Sequence, residues 1–132
     1  MTRFGIDAAT ALRLIRDGAD AGRRHQLVAP SALRSEVLAL IYRDVHAHRI
    51  TQAEGRRQLE ALARLKIRLL GDRVSRATAW KIAEQLGWKE IGAAEYLAVA
   101  SLQADALITQ DAEIAEAAEG IVPIASYMDL TG

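Results

Sequence analysis

The sequence predicts an α/β domain with a small, mainly parallel sheet, and two patterns carry that expectation. Short apolar runs alternate with helical stretches, and acids follow the first and third of those runs. The runs are RFGI (3–6), QLVA (26–29), ALIT (106–109) and IVPI (121–124), and the stretches between them read as helices.

RFGI leads into Asp7 and then the helical segment ATALRLIRDG. QLVA is stopped by Pro30, which suits a strand end better than a strand centre. Ser31 is expected to cap the next helix, which runs to about His48 with Leu33, Val37, Leu40 and Ile41 along one side. Thr51 and Glu54 form a capping box for a further helix. Leu59, Leu62, Leu65 and Leu69 continue its apolar stripe, and Gly71 ends it. Another helix spans roughly Arg76 to Leu86, with Trp80, Ala83 and Leu86 inward and Gly87 after it. AAEYLAVASLQ is alanine-rich, so this helix is expected to lie directly against the sheet. ALIT makes the third strand and AEIAEAA a short helix closed by Gly120. IVPI makes a last strand, whose Pro123 places it on an edge.

The 132 residues suit one domain, taken as 1–132, and 51% apolar residues suffice for a core. No apolar run reaches the roughly 18 residues a bilayer span needs. The opening MTRFGIDAAT meets an acid at once, so no secretory signal is expected and a cytoplasmic location follows. The absence of cysteine excludes disulfides and thiolate metal sites. Net charge is zero but unevenly placed. Residues 43 to 81 hold ten basic and four acidic side chains, whereas residues 82 to 132 hold one basic and nine acidic. This polarity can guide a phosphate backbone toward an acidic pocket, or serve a charged protein partner.

Parallel sheets gather their ligands at the carboxyl ends of the strands. Asp7 and Asp111 both follow strands, and Glu36 joins them if the helix after Pro30 starts at that edge. Carboxylates meeting there invite a hard cation, Mg²⁺ or the chemically similar Mn²⁺, and such a site supports phosphodiester hydrolysis. Each residue also has a structural reading. Asp7 and Asp111 are natural helix caps, Glu36 is an acid favoured by a helix dipole, and Thr109 ends a strand or orients a water or phosphate.

FGIDAAT, VAPSALRSEVLAL, AAEYLAVASLQADALITQD and IVPIASYMDL, in this order and spacing, resemble the PIN-domain family, and more narrowly the ribonuclease toxins of bacterial VapBC toxin–antitoxin systems. The resemblance covers almost the whole chain. It implies a three-layer PIN-like sandwich and metal-dependent endoribonuclease activity. Asp7, Glu36 and Asp111 would be the retained metal-binding acids, and Thr109 would belong to a Thr-x-Asp pattern beside them. It also implies an RNA substrate, a cognate antitoxin and frequent homodimers. One departure stands out. The family's further aspartate, in an Asp-Ala-x-Tyr context, aligns with Ala93; Glu95 is rotated about 200° away on the helix, and Glu90 reaches the cleft only if its loop folds back. Ala9 also stands where the family often has Ser or Thr.

Two alternatives to the nuclease stay open from the sequence. One is a catalytically weakened relative that only binds RNA or antitoxin. The other is a metal-dependent phosphatase, although the chain lacks a phosphate loop of either common glycine pattern. Trp80 reads as core and Trp88 as core or a base-stacking platform. His25, His46 and His48 do not make a convincing zinc site.

Overall fold

A computed structural model describes residues 1–131; the expected domain runs to 132, and Gly132 lies outside the described residues. The strands are β1 (Arg3–Ile6), β2 (Gln26–Pro30), β3 (Arg68–Leu70) and β4 (Ala106–Ile108), arranged β3-β2-β1-β4. Every pairing is parallel, and central Gly5 stands opposite Val28 on one side and Leu107 on the other. Helices α1 (Ala8–Asp17), α2 (Leu33–His46) and α3 (Gln52–Arg64) build the core on one face. Helices α4 (Arg73–Leu86), α5 (Gly92–Gln103) and α6 (Ala112–Ala117) build the core on the other. A final turn, α7 (Met128–Thr131), returns Leu130 to the first core. Strand alternation divides the side chains: Phe4, Ile6, Leu27 and Ile108 enter the first core and Leu107 the second. The result is the three-layer PIN-like sandwich expected. Among the described residues, no helix is long and apolar enough to cross a membrane.

Local signals set several element ends. Asp7 caps α1 through its side chain, and Gly18 closes that helix at φ 64°, where a side chain would be strained. Thr51 Oγ1 accepts the Glu54 N–H at 3.0 Å and so caps α3. Asp72 and Ser75 make a reciprocal capping box for α4.

Four expectations are corrected. The leucine stripe does not continue as helix to Gly71. Instead α3 stops at Arg64, and residues 68–70 are a strand that pairs with β2 and covers an edge otherwise left with free backbone groups. Ser31 does not cap α2. Its own N–H bonds the Leu70 carbonyl at 2.9 Å, and the helix begins behind Ala32 without a side-chain cap. Trp80 is 67% exposed and Leu86 37%, while Ala79, Ile82 and Ala83 point inward. Helix α4 lies against alanine-rich α5, and so close an approach has no room for an indole. Finally, IVPI meets the sheet only through a bridge of Ile124 to Leu107. It does lie beyond edge strand β4, where the Pro123 carbonyl accepts the Leu107 N–H at 2.8 Å.

Candidate functional site

Because every strand points the same way, the segments leaving β1, β2 and β4 emerge at one edge of the sheet. Asp7 follows β1 immediately, Glu36 sits in the first turn of α2, and Asp111 begins α6. All three line one cleft of about 420 Å³, together with Ala93, Tyr96 and Gln110. The shared address expected from the sequence is therefore the one the chain adopts.

Asp7 is the most constrained of the three, at 6% exposed. Its Oδ1 accepts the Thr10 N–H at 2.9 Å, and its Oδ2 accepts the Thr109 hydroxyl at 2.5 Å and the Gln110 N–H at 3.2 Å. The same carboxylate thus caps α1 and ties it to the end of β4. Thr10 adds a second tie, its hydroxyl donating to the Ile108 carbonyl at 3.2 Å. Thr109 stands behind the cleft. Its hydroxyl proton is committed to Asp7, and its oxygen accepts the Asp111 N–H at 3.0 Å. One threonine therefore positions two acids.

Asp111 Oδ1 accepts the N–H groups of Glu113 and Ile114 at 2.8 and 3.2 Å, capping α6, while Oδ2 takes no part in the cap. Capping and exposure to the cleft coexist in this side chain. Glu36 Oε2 accepts the Tyr96 hydroxyl at 2.7 Å. Tyr96 is buried, and burial first, then the Glu36 carboxylate, push its phenol far above the usual range for tyrosine.

The reading of the sequence did not single out Tyr96. The available signal was its place three residues after Ala93, one turn along the same helix face. Neither Glu90 nor Glu95 lines the cleft, and Ala93 itself does, so no neighbouring acid takes its place. Trp88 is half-buried against the second core.

The donor set is oxygen only, which suits a hard divalent ion. Among the described residues, however, no three His, Cys, Asp or Glu side chains stand close enough together to form an ion cage. Magnesium is commonly held by one or two carboxylates, waters and a substrate phosphate instead of a complete protein cage. The cleft fits that looser, hydrated mode.

The all-parallel four-stranded sheet between two helical layers is a PIN-like fold, and solved structures share it. The chain is similar over 98% of its length to PAE2754 from Pyrobaculum aerophilum, covering 94% of that chain with a TM-score of 0.74 and 19% identity. It is also similar to VapBC2 from Rickettsia felis, solved bound to a DNA fragment from their promoter. That likeness covers 94% of this chain and 98% of the other, with a TM-score of 0.60 and 13% identity. No family model and no curated protein matches the sequence.

Proposed function

We propose that this chain is a divalent-metal-dependent endoribonuclease, the toxin half of a toxin–antitoxin pair. The observation that carries the proposal is the meeting of Asp7, Glu36 and Asp111, from three separate elements, on one cleft at the strands' carboxyl edge. The likeness in fold to VapBC2 supports an antitoxin partner. One or two of these acids at a time, with waters and a substrate phosphate, would hold the ion, Mg²⁺ or Mn²⁺, and among the described residues Glu36 Oε1 and Asp111 Oδ2 accept no hydrogen bond that would compete. When bound, the ion supplies Lewis-acid chemistry, making water a better nucleophile and offsetting charge that builds on a phosphate. Tyr96 and Thr109 act through the acids, holding Glu36 and Asp7 in place.

Ala93 favours a second reading, an RNA- or antitoxin-binding protein with cleavage lost. Incubating single-stranded RNA and a phosphomonoester with Mg²⁺, Mn²⁺ or EDTA separates the alternatives. The nuclease cuts RNA only with metal and spares the monoester. Background cleavage at saturating Mn²⁺, with RNA still bound, transfers the case to the second reading. Monoester hydrolysis alone makes the chain a phosphatase.

Ala93→Asp restores a carboxylate to the cleft in the first turn of α5. The metal concentration for half-maximal cleavage should fall about tenfold, equivalent to ~1.4 kcal/mol of added attraction. Tyr96→Phe should raise the same concentration by about tenfold, since a hydrogen bond to a charged group is worth roughly 1.5–3 kcal/mol. A metal titration of both variants checks these shifts, and an unchanged midpoint in Tyr96→Phe would exclude the positioning role.

A further inference from the structure

A second pocket, of about 450 Å³, adjoins the acid cleft and shares Ala9 and Gln110 with it. Arg13, Arg16 and Arg43 line it, opposed by Asp17 and Asp44. The three arginines are not equally available. Arg16 is spent on Asp44 at 2.6 Å and on Gln58 at 3.3 Å. Asp44 also accepts Arg49 at 3.0 Å, and the Arg16 hydrogen bond chiefly holds its carboxyl below the usual range, so it stays charged and neutralised. Arg13 meets Asp17 only at 3.8 Å and Gln110 at 3.5 Å, and lies 3.8 Å over the Tyr127 ring. Asp17 is itself engaged by the Tyr127 hydroxyl at 2.7 Å. Arg43 is exposed, and its side chain makes no hydrogen bond or ion pair among the described residues.

We infer that this pocket is a phosphate subsite, in which Arg43 and Arg13 hold the RNA phosphodiester neighbouring the one placed in the acid cleft. The inference rests on the nuclease reading for its register. A cleft of carboxylates repels a polyanion, so binding requires cations one step along the backbone. The fixed fork of arginine suits phosphate oxygens. Arg13 is oriented by the Tyr127 face and by Gln110, whose backbone N–H also bonds Asp7. The subsite and the acid cleft are therefore joined through one residue. An acidic protein segment would use the same charges, but continuity with the cleft favours the nucleic acid.

The test is fluorescence anisotropy of a labelled single-stranded RNA with the full chain in EDTA, where metal-dependent cleavage is off, over a range of salt. The Arg43 side chain has no hydrogen bond or ion pair among the described residues to lose, so Arg43→Ala and Arg43→Glu test its charge directly. Arg23→Glu, in the turn before β2 at the far end of the sheet, controls for bulk charge. Expected are about fivefold weaker binding for Arg43→Ala and more than tenfold for Arg43→Glu. The slope of log affinity against log salt should shrink by about 0.7 for the lost contact, and Arg23→Glu should have a much smaller effect. With metal, Arg43→Ala should raise KM and keep kcat. Equal losses for Arg43→Glu and Arg23→Glu overturn the subsite, as does unchanged RNA affinity accompanied by lost binding of a polyglutamate peptide. No RNA binding by the unaltered chain overturns it as well. Losses confined to Arg43 without any cleavage support the subsite and overturn only the nuclease reading.

Discussion

Asp7→Asn should abolish metal-dependent RNA cleavage, by about a thousandfold or more, while leaving a folded protein. The expected size follows from two effects of one substitution. The cleft loses the charge of its most firmly placed carboxylate, and electrostatic stabilisation of a phosphoryl transition state by a bound ion is worth several kcal/mol, each ~1.4 being tenfold in rate. The amide also misfits its neighbours. Asp7 accepts from Thr10 N–H, Thr109 hydroxyl and Gln110 N–H. An asparagine NH₂ turned toward Gln110 N–H sets donor against donor. Turned toward Thr10, it uncaps α1. In the first orientation the Thr109 hydroxyl can reverse and accept, so either way two of the three contacts survive and one is lost. A lost hydrogen bond of this kind costs about 1–3 kcal/mol, small enough for the variant to fold. Thermal unfolding beside the cleavage assay distinguishes the outcomes. A stable variant that cuts RNA at the original rate removes the proposed role of Asp7.

The second large effect is on stability. Gly5→Val should cost about 3 kcal/mol or more and lower the melting temperature by roughly 10 °C. A Cβ added at Gly5 would stand 2.8 Å from the Ala100 Cβ and 3.4 Å from its Cα, with a Leu107 methyl also at 3.4 Å. Ala100 is fully buried in the last turn of α5, so that end of the helix must move away from the sheet. Gly5→Ala is the milder form, at ~1–3 kcal/mol. Ala100→Gly alone should cost about 1 kcal/mol in helix propensity. The double variant Gly5→Ala with Ala100→Gly should be less damaged than the sum of the singles, because the clash has gone. Strict additivity in denaturant melts would show that this contact does not set the separation of helix and sheet.

What the sequence disclosed and what it withheld divide along a physical line. Features decided by neighbours in the chain were legible: RFGI ending in Asp7, Thr51 capping α3, Gly87 after α4 and the alanine face of α5. The address of the acids was legible too, since parallel strands impose it. Features decided by distant partners were not. Residues 68–70 read as the tail of a leucine stripe, and only the open edge of β2 makes them a strand. Trp80 fits the helical period on α4 as well as any core residue; the small side chains opposite exclude it. Tyr96 reaches Glu36 across 60 positions and Thr109 reaches Asp7 across 102, separations that no local pattern announces. Arg43 was one of ten similar charges until the fold placed it in one pocket with Arg13 and left its side chain unpaired among the described residues.

The single direction of the strands has a practical outcome for anyone altering this molecule. Turns such as Gly18–Asp20, which carry the chain back to the start of β2, sit at the opposite pole from the acids, so a reporter or affinity handle spliced there should travel as a passenger. The same handle beside Gln110 would land among the groups that position Asp7 at the acid cleft. Engineering access to this protein is therefore polar, with one end for attachment and the other kept clear for the acid cleft.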